Sequence, residues 1–423
     1  MTIIDRHSSL ATALLLAMLA GCATPPGPVP VAAAEPFCAG DSILVDARFE
    51  GGNIHSCRVD GERRVQILVR PENEPPINPS SWYAFRLSAN GSEPVEAVVR
   101  FEGGPARYWP KLSGDRRNWR PAREAEARFG EDGATLYLSL RPSGPALWVA
   151  GQPLVLADYY ADWLDALDSL EHVSTRLVGR SAEGRPLHAA FTGQKPEVVF
   201  LLGRQHPPEV SGALAMRAFV DTVTGDTELA RQFRRRYWLV IVPLLNPDGV
   251  ANGHWRHNAN GIDLNRDWGP FTQPETRSLM DLIAAIEASG ARPALMLDFH
   301  STRDSLFYTQ MPEETSWPID FASAWFERSR ARIPDFEFRH EPRPKSGQAN
   351  TKNWFFDRYR IPAYTYEIGD EVAPDEIAAT TPVFAEEMMR LLLEYSAEEQ
   401  VANRDNPIAN EGRAPAVPLS SPR

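Results

Sequence analysis

From Ser42 to Val149 apolar and polar positions alternate in short runs, among them Val65-Gln66-Ile67-Leu68-Val69-Arg70 and Thr135-Leu136-Tyr137-Leu138-Ser139-Leu140, broken by Gly, Pro and Asn turns. A period of two marks a strand with one face buried, and many such strands at close spacing predict an all-β sandwich. After Ala157 the period changes. Val198-Val199-Phe200-Leu201-Leu202, Trp238-Leu239-Val240-Ile241-Val242, Ala294-Leu295-Met296-Leu297 and Ala363-Tyr364-Thr365-Tyr366 are apolar throughout, and helical stretches such as Ser211 to Val223 and Pro274 to Ala288 intervene. Strands buried on both faces and alternating with helices predict an α/β domain. The sandwich tryptophans Trp82, Trp109, Trp119 and Trp148 are expected to fill its core, although they can also line a glycan-binding surface.

The two ends of the chain lack these periods. Arg6 and His7 precede an apolar stretch from Leu10 to Leu19, and Leu19-Ala20-Gly21-Cys22 follows. That stretch is too short for a permanent membrane span and reads as a bacterial lipoprotein signal, with an ordinary secretory signal as the alternative. The expected organisation is a signal peptide over 1–21, a Pro- and Ala-rich stalk over 22–37 with lipid on Cys22, a sandwich over 38–152, an α/β domain over 153–396 and a disordered tail over 397–423. The protein is expected to be exported and tethered in the cell envelope, meeting membrane only through that N-terminal lipid. Cys38 and Cys57 are then the remaining cysteines, in a compartment where disulfides persist, and are expected to be bridged. A net charge of −12 over 423 residues argues against nucleic-acid partners. Nothing in the sequence speaks to oligomeric state.

Chemistry is concentrated in the second domain. His206-Pro207-Pro208-Glu209 puts two ligand types three residues apart, and with a distant third histidine, His300, they can hold one metal ion and leave a position open, as catalytic zinc sites do. Arg256-His257-Asn258-Ala259-Asn260-Gly261-Ile262-Asp263-Leu264-Asn265-Arg266 offers two arginines and an asparagine beside a glycine turn. Such a run can supply fork-shaped donors for a terminal carboxylate and a cation for an oxyanion. His206, His300 and Glu367 each fall at or just past the C-terminal end of an apolar strand, where open α/β sheets carry their sites.

The H-x-x-E pair, the R-x-N-x-x-G-x-D-x-N-R run, Asp298-Phe299-His300-Ser301 and Tyr366-Glu367-Ile368-Gly369 occur in that order, and with them the chain resembles the zinc carboxypeptidase family. The resemblance implies a mixed-sheet α/β/α catalytic domain and one Zn2+ per chain, held by His206, Glu209 and His300. It also implies that Glu367 is the general base, that Asp263 orients His206, that Arg256 polarises the carbonyl, and that Asn265 and Arg266 clamp the substrate's terminal carboxylate. Upstream, Phe49-Glu50-Gly51-Gly52-Asn53, Trp82-Tyr83-Ala84-Phe85-Arg86-Leu87 and Tyr108-Trp109-Pro110 resemble the β-domain of the cytosolic-carboxypeptidase branch, whose members trim glutamates from protein tails.

Two departures stand out. Pro208 occupies a position where glycine is usual in that branch, and no counterpart of the digestive enzymes' mobile tyrosine lies between Ser346 and Phe356. By similarity to those enzymes Lys352 sits at the base of the side-chain pocket, where a buried ammonium would select an acidic residue. The alternative for Lys352 is a solvated loop lysine. The expected activity is hydrolysis of C-terminal peptide bonds, with preference for a carboxylate-bearing terminal residue, on a peptide or muropeptide substrate. Alternatives are a murein-peptide amidase on cell-wall stem peptides, and a non-catalytic envelope lipoprotein that binds wall peptides or glycans. Deacylation of small N-acyl amino acids fits the large N-terminal domain less well. His254 and His257 are wall residues at most in this reading.

Overall fold

The computed structural model describes residues 35–395 apart from 76, 143, 345 and 346. The expected signal peptide, the lipid site at Cys22, most of the stalk and the tail from 397 lie outside the described residues.

The N-terminal strands are β1 (Phe37–Ala39), β2 (Ile43–Asp46), β3 (Ser56–Val59), β4 (Arg64–Val69), β5 (Ala84–Ala89), β6 (Val95–Phe101), β7 (Lys111–Ser113), β8 (Arg120–Pro121), β9 (Ala127–Phe129), β10 (Thr135–Leu140) and β11 (Leu147–Ala150). They form a six-stranded sheet in the order β1-β2-β5-β11-β7-β8 and a five-stranded one in the order β3-β4-β6-β10-β9. The period-two pattern accounts for the packing. In β6, Val95, Ala97, Val99 and Phe101 are buried while Glu96 and Arg100 face out, and both sheets feed one core, with Val45, Phe85 and Val149 from the first and Val65, Ile67 and Leu136 from the second. Trp82 is buried, and Trp109, Trp119 and Trp148 pack against that core. Cys38 and Cys57 are disulfide-bonded with their Cα atoms 5.6 Å apart, tying an edge strand of one sheet to an edge strand of the other.

The second part runs α1 (Ala157–Asp168), β12 (Val173–Arg180), β13 (Pro186–Thr192), β14 (Glu197–Gly203), α2 (Val210–Thr224), α3 (Glu228–Arg236), β15 (Tyr237–Val242), α4 (Pro247–Asn252), α5 (Pro274–Ala288), β16 (Arg292–Thr302), β17 (Leu306–Thr309), α6 (Phe321–Arg332), β18 (Arg339–Pro342), α7 (Thr351–Tyr359), β19 (Ala363–Gly369) and α8 (Pro374–Glu394). Its eight-stranded sheet has the order β12-β13-β15-β14-β16-β19-β17-β18. β15, β14, β16 and β19 are parallel neighbours, while β13 on β15 and β17 on β19 are antiparallel. The sheet is therefore mixed. Successive side chains of a strand point to opposite faces, so Val199, Leu201 and Leu297 join a core with Met216 of α2 and Met388 of α8, while Val198, Phe200 and Met296 join another with Ile283 of α5 and Phe355 of α7. Helices thus cover both faces.

β16 and β19 extend beyond their apolar runs, to Thr302 and Gly369. The added residues alternate, with Phe299 and Ile368 in the core and Asp298, His300 and Glu367 at the rim that carries the site.

Candidate active site

His206 and Glu209 sit in the turn between β14 and α2. Arg204, buried at left-handed φ 52°, starts that turn. Its Nε donates to the Pro207 carbonyl at 2.9 Å and its Nη1 lies 3.0 Å from the Tyr160 hydroxyl. The turn is thus pinned by a side chain as well as stiffened by its prolines. Gly212, one turn further on, lets α2 lie against β16, since a Cβ there would stand 2.4 Å from the His300 carbonyl oxygen.

This approach brings His206, Glu209 and His300 together. Glu209 Oε1 lies 2.8 Å from His206 Nδ1, its Oε2 lies 2.7 Å from His300 Nδ1, and the two Nδ1 atoms are 3.2 Å apart. One donor atom from each residue falls within 4.8 Å of the others, and all three side chains are buried. The outer ring nitrogens are held by carboxylates, His206 Nε2 by Asp263 Oδ1 at 2.9 Å and His300 Nε2 by Asp298 Oδ2 at 2.9 Å. Each Nε2 therefore keeps its hydrogen, and both Nδ1 atoms converge on one point with the Glu209 carboxylate. Two imidazoles and a carboxylate facing inward with their tautomers fixed suit a divalent zinc ion. The chain's own charges show the same bias: burial depresses the His300 pKa, but the Asp298 and Glu209 carboxylates outweigh it and raise it well above the ordinary histidine value.

Glu367 stands opposite His300 in the β16–β19 register. It is half-buried with its Oε2 shielded from solvent, and among the described residues that oxygen has no hydrogen-bond partner. Burial, with the charges of Glu209, Asp298 and Asp370, pushes its carboxyl up to about 8 against the pull of the His300 ring. A cation between these groups would relieve that clustering, which is a second reason to place a metal here.

The Arg256–Arg266 run folds over the ligands. Asp263 Oδ2 accepts from Arg256 Nε at 2.7 Å and its Oδ1 accepts from the Asn265 backbone N–H at 2.9 Å, so one carboxylate fixes His206, Arg256 and the turn itself. Burial would raise its pKa, but His206 and Arg256 hold it well below the usual range. Asn265 Oδ1 accepts from the Thr351 backbone N–H and hydroxyl, both at 3.0 Å. Its amide nitrogen is therefore turned into the site, 3.4 Å from His300 Nε2. Arg266 is exposed and donates Nη1 to the Asn265 carbonyl at 2.7 Å.

Lys352 is a buried residue of α7, not a solvated loop lysine. Its Nζ donates to the carbonyls of Thr309 at 3.1 Å and Arg343 at 3.5 Å. Tyr308 lies alongside, with the Arg343 guanidinium 5.1 Å from its ring; burial and the Glu367 charge raise its pKa.

Sequence reasoning assigned no role to four groups. Asp298 orients His300. Gln205 is buried, and its Nε2 donates to Asp298 Oδ2 at 2.6 Å and to Thr351 Oγ1 at 2.7 Å. Tyr308 stands in electrostatic reach of Glu367. Glu72 comes from the sandwich; its Oε1 accepts from the backbone N–H of Arg256 at 3.0 Å and of His257 at 2.8 Å. Asp298 had a usable signal, because it lies two residues before His300 on one strand and so on the same face. His254 Nδ1 donates to the His257 carbonyl at 3.0 Å.

Comparison with known proteins bears on the family and the fold. The zinc carboxypeptidase family matches residues 160–380 and the cytosolic carboxypeptidase N-terminal domain matches residues 45–151. An uncharacterized protein of Zymomonas mobilis is 25% identical over 344 residues, 77% of this chain and 88% of its own length. Cytosolic carboxypeptidase 1 of Danio rerio is 33% identical over 126 residues, 28% of this chain but only 11% of that protein. Among solved structures, a metallo-carboxypeptidase from Burkholderia cenocepacia superposes with a TM-score of 0.72 at 21% identity, covering 84% of this chain and 100% of that one. A metallo-carboxypeptidase from Pseudomonas aeruginosa gives 0.68 at 19% identity, over 83% and 100% of the two chains. At such identities these two structures speak for the fold alone.

Proposed function

The chain belongs to the zinc carboxypeptidase family, and from that premise we propose that it hydrolyses the C-terminal peptide bond of peptides in the cell envelope, preferring a terminal residue that bears a side-chain carboxylate. The observation that carries the reading is the convergence of His206 Nδ1, Glu209 and His300 Nδ1 within 4.8 Å, beside the Glu367 carboxyl, whose Oε2 has no hydrogen-bond partner among the described residues.

Zinc held by His206, Glu209 and His300 supplies a Lewis acid and brings the pKa of a water toward neutrality. Glu367 accepts a proton from the attacking water and returns it to the leaving amine, so the amide and water become an acid and an amine with no net proton change. Arg256, its Nε committed to Asp263, presents its terminal nitrogens to the carbonyl oxygen as that oxygen becomes anionic. The Asn265 amide and the Arg266 guanidinium bind the terminal carboxylate, and that clamp confines cleavage to a chain end.

The acidic preference rests on Lys352. Lys352 is buried in α7, and at the base of a side-chain pocket an ammonium favours a terminal residue that bears a carboxylate. Lys352→Ile is expected to lower kcat/KM for a peptide ending in glutamate by ~10²-fold or more while the penalty on apolar C-termini shrinks. Equal losses on both classes would mean that Lys352 only supports α7. Mass spectrometry of a peptide and muropeptide library after incubation with zinc-loaded protein tests the substrate class, with release of a single C-terminal residue expected. Cleavage confined to stem peptides would instead identify a murein-peptide amidase, and no cleavage would leave a binding lipoprotein. The envelope location rests on the lipoprotein pattern ending at Cys22, and Cys22→Ser should move the protein out of the membrane fraction.

A further inference from the structure

The segment from Ala251 to His257 belongs to the catalytic domain and carries Arg256, yet it is braced by the sandwich. Gly51 N–H donates to the Ala251 carbonyl at 2.7 Å, Asn53 Nδ2 to the Gly253 carbonyl at 2.7 Å, and Trp255 Nε1 to the Trp82 carbonyl at 3.0 Å. The densest contact is made by Glu72, in the loop after β4. Its Oε2 accepts from Trp255 N–H at 2.7 Å and its Oε1 from the N–H groups of Arg256 at 3.0 Å and His257 at 2.8 Å, with the His257 ring nitrogen 3.1 Å away.

Three consecutive backbone N–H groups converge on this one carboxylate, whose side chain is only 9% exposed. Consecutive amides can share an anion only if their dihedrals are confined, so the carboxylate sets the local backbone. The direction in which the Arg256 side chain leaves that backbone is set with it. At the far end of the side chain Asp263 holds Nε at 2.7 Å. Arg256 is thus fixed at both ends, at its root by the sandwich and at its head by the ligand-orienting carboxylate. Burial would raise the Glu72 pKa, but the hydrogen bonds from His257 and Trp255 hold it at about 2, so the anion persists wherever the protein is folded near neutrality.

We propose that Glu72 is a positioning residue for the reaction: it fixes the backbone at Trp255–His257 so that Arg256 meets the carbonyl oxygen of the scissile bond. The sandwich then contributes to turnover and not only to folding. This inference rests on the reading of Arg256 as the oxyanion group.

The experiment uses the full zinc-loaded chain and a blocked peptide ending in glutamate, with the variants Glu72→Gln, Glu72→Asp, Asn53→Ala, Arg256→Ala and the Glu72→Gln/Arg256→Ala pair. Glutamine sets an NH2 group against the converging N–H groups, and aspartate keeps the charge but falls a methylene short. Both are expected to lower kcat by ~10-fold or more with KM and zinc content near wild type. Arg256→Ala is expected to cost ~10²-fold or more, and the double variant is expected to be no worse than Arg256→Ala alone. Asn53→Ala, which loosens the same interface away from Arg256, should lower Tm and leave kcat unchanged. Wild-type kcat in either Glu72 variant, multiplying losses in the double variant, or an equal kcat loss in Asn53→Ala would each overturn the proposal. Full activity in Arg256→Ala would refute the oxyanion reading itself. If Glu72→Gln does not fold, Glu72→Asp decides alone.

Discussion

Glu367 lies among the charges of Glu209, Asp298 and Asp370, and that environment puts its titration at about 8. His300 is held protonated by its two carboxylates. Both groups therefore carry a proton at pH 7, and both must give it up when a dication arrives, His300 to free Nδ1 and Glu367 because the new charge lowers its pKa. Zinc binding near pH 7 is therefore expected to release protons, and zinc affinity should weaken as pH falls from 8 toward 6. Calorimetry in buffers of different ionisation enthalpy reads that release directly, and a heat independent of buffer would contradict it. The proposed mechanism makes Glu367 the base, so Glu367→Gln should retain zinc while kcat falls by ~10²-fold or more. Near wild-type turnover in that variant would mean that another group takes the proton. At this scale the ligands, Glu367 and the Arg256–Arg266 run were legible because their residue types and spacings are unusual together. Glu72 was not, since it lies 184 positions from the Arg256 amide it binds and a glutamate in a loop carries no local pattern.

Elements decide whether those residues meet. The apolar runs located β14, β15, β16 and β19 within a few residues, because strands buried on both faces leave a continuous hydrophobic signature. The same signal stopped short at the ends of β16 and β19, where Asp298, His300 and Glu367 interrupt the apolar run although Phe299 and Ile368 still join the core. Gly212 shows how closely the elements are fitted. Helix propensity alone makes Gly212→Ala stabilising by about 1 kcal/mol, but the new Cβ would stand 2.4 Å from the His300 carbonyl oxygen. Backbone cannot yield as a side-chain tip can, so α2 must move off β16 and take Glu209 with it. The expected outcome is a zinc affinity lower by ~10-fold or more, comparable with the loss of a group that orients a ligand, measured by competition with a chelator. An unchanged affinity would show that the ligand turn is positioned by Arg204 and the prolines alone.

At the scale of the whole molecule, the change of period near Ala157 separates a β part from an α/β part, but it says nothing about how firmly they are joined. The described residues fall in one compact unit, and one core runs from Val65 and Phe85 through Trp163 to Met216 and Leu297. Polar contacts cross the same boundary: Arg107 Nε pairs with Asp370 Oδ2 at 2.8 Å with both side chains buried, and Gln152 Nε2 donates to the Asp370 carbonyl at 2.6 Å. Breaking one member of a buried pair costs several kcal/mol, because its partner is left desolvated and unpaired. Two domains separated by a small wet interface would melt independently, whereas a continuous core and buried charges couple them. The zinc-loaded protein should therefore unfold in a single calorimetric transition, and Arg107→Ala, which deprives Asp370 just after β19 of its buried partner, should lower its Tm without splitting it. Two resolved transitions in the wild type would show that the sandwich is an appendage, and the expected contribution of Glu72 to turnover would lose its physical basis.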